Sequence, residues 1–115
     1  MEANQPHITK LIENCKKSDK NAQLQLYKAY YKAMYNTALR ILKDNFEAED
    51  IMQEAFLTAF TKLNMYKEEV AFGAWLKRIV INKSLTQLKK NNRDQEGKME
   101  IIPKNERENE TIDYT

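Results

Sequence analysis

Apolar residues return every three or four positions along four stretches of this chain, with polar residues between them, as in helices that bury one side. Residues 8–17 carry Ile8, Leu11, Ile12 and Cys15 at that spacing, a short amphipathic helix. In 20–43 the stripe is Tyr27, Tyr31, Met34, Ala38, Ile41 and Leu42, with Tyr30 and Tyr35 at its margin. An aromatic stripe at this period is usually packing, and tyrosines at its edge keep their hydroxyls near water or a partner. In 45–63 the stripe is Ala48, Ile51, Met52, Ala55, Phe56, Ala59, Phe60 and Leu63, and from Ala71 onward it is Phe72, Trp75, Leu76, Ile79, Val80, Leu85 and Leu88. Ser18 and Asp19 offer caps for the second helix; Asp44 and Asn45 break it, with Asn45 expected to cap the third. Residues 64–70, NMYKEEV, hold no period and form a loop. The pattern predicts an all-α fold: a small bundle of three main helices plus a short N-terminal helix, spanning 8–93 behind a tail at 1–7.

Composition sharpens this in a few places. Two glycines and two prolines in 115 residues leave few turn signals for strands, and the length suits one helical core. From Asp94 to the end there are seven acids against three bases, with Gly97, Pro103 and few large apolar side chains. That stretch, 94–115, is expected to be an acidic linker or tail, unable to bury enough surface to offset its ordering entropy. No apolar run approaches the length of a membrane span and no signal-peptide core opens the chain, so a cytoplasmic protein without a membrane partner is expected. Cys15 has no second cysteine to pair with and belongs to the core. His7, the lone histidine, has no metal-spaced partner and is given no role. Without a phosphate-cradling glycine loop, a metal-ligand cluster or a nucleophile beside a base, no catalytic residue, metal or cofactor is expected, and the chain is not expected to be an enzyme.

Net charge is only +2, yet charge is segregated by segment. Glu47, Glu49 and Asp50 fall in the first turns of the third helix, where carboxylates favour the positive end of the macrodipole. Asp50, Gln53, Glu54 and Leu57 lie on the side away from its apolar stripe, and no Lys or Arg occurs from 44 to 61. A face of this kind is most often a solvated bundle surface; its alternative is a dock for a basic partner. The last helix is the inverse. Residues 71–92 contain no acid, while Lys77, Arg78, Lys83, Lys89, Lys90 and then Arg93 are interleaved with Asn82, Thr86 and Gln87. That stripe suits phosphate, with plain solubility as the competing use.

The block AEDIMQEAF, followed some twenty residues on by FGAWLKRIVIN, resembles region 2 of bacterial RNA polymerase sigma factors of the extracytoplasmic-function (ECF) group. The likeness runs from about Asp19 to Arg93, and the two blocks in this order are far more specific than either alone. The resemblance implies a transcription initiation factor domain whose third helix docks on the coiled coil of the largest polymerase subunit's clamp through Asp50, Gln53, Glu54 and Leu57. It implies that the loop and last helix recognise and melt the promoter minus 10 element on its non-template strand. Asn64, Tyr66 and Lys67 are then the expected base pocket, with Tyr66 at the family's frequent aromatic position. Arg78, Asn82, Lys83, Thr86, Lys89 and Lys90 are expected to track the phosphates and the duplex edge. Trp75 is expected in the core, with one edge toward the separated strands as the alternative.

Two departures qualify the likeness. Many relatives carry Asp where this chain has Thr86. A complete factor of the group also needs region 4, whose helix-turn-helix reads the minus 35 element; its absence makes the chain resemble a fragment whose acidic tail would lead there. ECF factors are often held inactive by an anti-sigma factor, which the resemblance implies as a second partner. The competing classes are a small all-α regulator of duplex DNA and an interaction module that does not act through polymerase.

Overall fold

A computed structural model describes residues 4–96, so most of the expected acidic tail lies outside the described residues. Four α-helices follow one another: α1 (Pro6–Lys16), α2 (Lys20–Leu42), α3 (Asn45–Thr61) and α4 (Phe72–Glu96), with a single 3-10 turn at Leu63–Met65 between the last two. No strand occurs among the described residues. Helix α4 continues past Asp94, where the tail was expected to begin, and α1 starts two residues early because Pro6 fits a first helical turn.

The junctions are set by backbone conformation. Ser18 and Lys43 both take the left-handed conformation, with φ of 67° and 57°, which stops α1 and α2. Asp19 then caps α2, its carboxylate accepting from the Asn21 and Ala22 amides. Past Lys43 the extended residue is Asp44, and its carboxylate accepts from the Glu47 amide at 2.9 Å. This corrects the expected cap: Asn45 is already helical, and its side-chain oxygen accepts from the Tyr35 hydroxyl at 3.2 Å. Only Lys43 and Asp44 separate α2 from α3, so the two helices run antiparallel.

The core lies where α2, α3 and α4 meet, with α1 against α2. Met34, Ala38, Ile41 and Leu42 are buried on α2; Ala48, Ile51, Met52, Ala55, Phe56 and Ala59 on α3; Phe72, Leu76 and Val80 on α4. Each large apolar side chain taken fully from water contributes ~1.5–3 kcal/mol. Cys15 is buried as expected; burial, with the Asp19 charge nearby, raises its thiol pKa to about 11, so it stays protonated and unreactive near neutral pH.

Aromatic contacts join the helices along two lines from α2. Tyr31 stacks on Tyr27 at 5.3 Å, and Tyr27 meets Phe56 of α3 at 4.8 Å. On the other side Tyr30 packs on Phe72 of α4 at 5.5 Å. Gly73 makes that approach possible: a Cβ there would sit 2.9 Å from Tyr30 Cε1, inside contact distance of a ring wedged against Phe72.

The cap assignment yields a direct test. Asp44→Ala should lower stability by ~1 kcal/mol, the usual cost of a lost N-cap, and Asn45→Ala by clearly less. Urea unfolding midpoints of the two variants decide it; a larger loss for Asn45→Ala would return the cap to that residue.

Candidate protein and nucleic-acid interfaces

The outer side of α3 is polar because its inner side is fully committed to the core. Asp50, Gln53, Glu54 and Leu57 are all exposed, Leu57 to 67%. Gln53 reaches back one turn to Glu49 at 3.4 Å, a long surface contact that leaves its amide open to a stronger partner. The four residues form one accessible patch, with their carboxylates in water.

On α4 the exposed positions Arg78, Asn82, Thr86, Lys89 and Arg93 follow steps of four, four, three and four, one line along the helix. Lys77 and Lys90 are exposed beside it and Lys83 is half-buried. Thr86 donates its hydroxyl to the Asn82 carbonyl at 3.0 Å, so that group is already engaged with its own helix.

A polar relay ties the two helices together. Gln87 Nε2 donates to Asn91 Oδ1 at 2.9 Å, and Asn91 Nδ2 donates to Glu47 Oε1, also at 2.9 Å. Glu47 lies in the first turn of α3, where its charge favours the helix N-terminus, and through Asn91 it fixes α3 against the far half of α4. Neither Asn91 nor the bonding role of Glu47 was visible in the sequence.

Tyr66 was expected to offer its ring to a base, and the structure corrects that. It is 3% exposed, with its ring edge-on to Phe72 at 5.7 Å and tilted against Trp75 at 4.9 Å. Its hydroxyl donates to the Val70 carbonyl and accepts from Asn4 Nδ2 at 3.0 Å. Burial raises the phenol's pKa, the Asn4 hydrogen bond lowers it, and the Glu68 charge raises it further. The physical reason is local: the next helix brings Phe72 and Trp75 to the same place, and a ring between them is worth more as packing than in water. Asn64 and Lys67, on either side of Tyr66, are exposed, as is Met65 at 71%. Trp75 is half-buried over Tyr66 and Phe72, one turn before Arg78.

Asn4, in the stretch expected to be a tail, supplies what the start of α4 lacks. Ala71 precedes the helix and has no side-chain acceptor; Asn4 Oδ1 takes the Phe72 amide instead, at 2.8 Å. One amide side chain thereby holds both Tyr66 and the first turn of α4, 62 and 68 residues away in sequence. The loop between them is closed at both ends.

Among the described residues no group of three His, Cys, Asp or Glu side chains could hold a metal ion, and no helix is long and apolar enough to cross a membrane. A groove of about 360 Å³ runs between α2 and α3, lined in part by Tyr27 and Tyr31 of the expected stripe and by Tyr35 from its margin.

The chain is similar in sequence to known proteins. The family model for sigma-70 region 2 matches residues 26–94. The ECF RNA polymerase sigma factor SigW of Bacillus subtilis is 33% identical over 87 residues, 76% of this chain and 46% of that protein. The RNA polymerase sigma-H factor of Pseudomonas aeruginosa is 35% identical over 78 residues, 68% of this chain and 40% of its own length. The ECF RNA polymerase sigma-E factor of Haemophilus influenzae is 31% identical over 72 residues, 63% and 38% of the two chains. The chain spans less than half the length of these relatives.

The brace is testable on its own. Asn4→Ala should lower stability by ~1 kcal/mol, since it strips partners from the Phe72 amide and the Tyr66 hydroxyl. Amide exchange at Phe72 should quicken, and Asn4→Asp, which keeps the acceptor, should restore its protection. Unchanged exchange in Asn4→Ala would mean the amide does not depend on this side chain.

Proposed function

The chain belongs to the sigma-70 region 2 family, and from that premise we propose that it is the part of a transcription initiation factor that docks on the RNA polymerase core and engages the opened minus 10 element. The observation that carries this reading is the pairing of an exposed acidic patch on α3 with an exposed basic line on α4, joined through Glu47 and Asn91. In this proposal Asp50, Gln53, Glu54 and Leu57 grip the clamp coiled coil of the largest polymerase subunit. Carboxylates meeting Arg or Lys across a partly dry contact give orientation and encounter rate, while Leu57 adds apolar area.

The DNA side follows from α4 and the loop. Arg78, Lys89 and Lys90, with Lys83 beside them, hold the phosphates of the non-template strand, and Asn82 contributes a short polar contact along the same line, while Thr86, whose proton goes to the Asn82 carbonyl, can only accept there. Extruding a base from a duplex requires compensating contacts to its face or edge. Asn64 and Lys67 at the loop rim supply hydrogen bonds to that edge, and Trp75 offers the margin its packing leaves open. Tyr66 supports the rim from beneath. Closure at Asn4 supports the same reading, because a loop already fixed loses less entropy when it meets a strand.

Two measurements test the proposal, one for each face. Glu54→Arg should weaken capture by the purified clamp coiled coil at least tenfold, with an unchanged melting temperature because the side chain is exposed. Undiminished capture would remove the docking claim. Lys89→Ala and Lys90→Ala should each lower affinity for every single-stranded sequence and reduce the salt slope by ~0.7 per lost phosphate contact. Tighter binding to duplex than to single-stranded minus 10 oligonucleotides, at matched salt, would favour a duplex-binding regulator instead.

A further inference from the structure

Helix α3 carries a second exposed apolar residue that the acidic patch does not account for. Phe46, in its first turn, is 85% exposed, the most open of the large hydrophobic side chains described. From Phe46 the steps to Asp50, Gln53 and Leu57 are four, three and four residues, so the four side chains stand in one line along the helix. Phe46 and Leu57 close the two ends, about 16 Å apart by helical rise. Asp50 and Gln53 fill the middle, with Glu54 alongside.

The first turn that presents Phe46 is firmly held. The Asp44 carboxylate accepts from the Glu47 amide, the Tyr35 hydroxyl donates to Asn45, and Asn91 bonds Glu47 from across the domain. The phenyl ring therefore stands on a fixed support, 85% exposed, with little from the other described residues over it. A single exposed apolar side chain is ordinary; two at the ends of one line, with carboxylates between them and no base from 44 to 61, is the layout of an interface with its own anchors.

On the docking reading above, we infer that Phe46 is a second apolar anchor for the polymerase contact, seated on the same basic coiled coil that receives Asp50 and Glu54. The occupant is a helix. A straight line of side chains on α3 is matched by a facing helix that sets Arg or Lys opposite Asp50 and Glu54, with an apolar seat at each end some eleven residues apart. Charge complementarity brings the two helices together, and the Phe46 and Leu57 seats fix how far one can slide along the other. With Leu57 alone the contact would have one apolar end; with Phe46 its register is set.

The test titrates the purified clamp coiled coil into the full chain by calorimetry, using Phe46→Ala, Phe46→Leu and Glu54→Arg in parallel. Phe46→Ala should weaken binding about tenfold and make the binding heat capacity less negative, a change that loss of a charge pair alone would not produce. Phe46→Leu should stay within about threefold of the parent, and both should melt with the parent because the ring is exposed. If Glu54→Arg loses binding while Phe46→Ala stays within twofold, the anchor is overturned and the docking reading stands. If neither substitution weakens binding, the docking reading falls and takes the anchor with it.

Discussion

The orientation of the acidic face on α3 follows from a set of small residues that has to be buried. Ala48, Ala55 and Ala59 of α3 and Ala38 of α2 are wholly inaccessible, and side chains of that size let helix backbones approach closely. A helix seated this tightly has one permitted rotation. Turning α3 by a single position, 100° on an ideal helix, would carry an acid of the first turns toward the interior, and an unpaired buried carboxylate is far more costly than any packing gained. The acidic patch is thus aimed by what cannot be buried, whether or not anything is bound there. The same constraint presents Phe46, which lies on the line that the alanine seam turns outward.

Helix α4 obeys a related rule with a different spacing. Phe72, Leu76, Val80 and Ser84 are fully buried at four-residue steps. Arg78, Asn82 and Thr86 repeat the same step two positions later, and two residues along a helix is about 200° of turn. Each buried side chain from Leu76 onward therefore has an exposed polar one nearly opposite. The basic line cannot wander round the helix, because the buried line it shadows is fixed by α2 and α3. The Ser84 hydroxyl has no partner among the described residues, so at that level the core takes a small side chain at some cost in polar satisfaction.

What could be seen in the sequence was whatever is written in local periodicity. The four helices, the core stripes, the buried Cys15 and the exposure of Asp50, Gln53, Glu54 and Leu57 all follow from spacing along one element. The errors arose where a distant residue decides. Tyr66 stands among Asn, Met, Lys and Glu in a stretch without period, and everything local says it is exposed. It is buried because Phe72 and Trp75 arrive from the next helix and Asn4 from the other end of the chain. Asn4 is one polar residue in a short polar segment, with no neighbour to mark it. Asp44 and Asn45 are adjacent and chemically equivalent as caps; the left-handed turn at Lys43 selects the first, a backbone property that residue type alone does not encode. Phe46 falls outside the buried stripe, and a search for core residues passes over it for that reason.

A net charge of +2 describes neither charged face, and the geometry explains why the opposed charges do not cancel. The acid on α3 and the base on α4 each point away from the core the two helices share, so their outer faces are separated by at least the width of a helix, ~10 Å. Screening at physiological salt falls off over ~8 Å. Each face is therefore felt mainly by what approaches it directly. Outside the apolar core they share, the hydrogen-bonded link between them among the described residues runs through Asn91 and Gln87, two neutral amides, with Glu47 as its charged member. A Lys at position 91 would pair with Glu47 and bring positive charge to the foot of the acidic helix. The amide holds the helices together and adds no net charge there, so the acidic face of α3 and the basic line of α4 stay electrostatically distinct on one small domain.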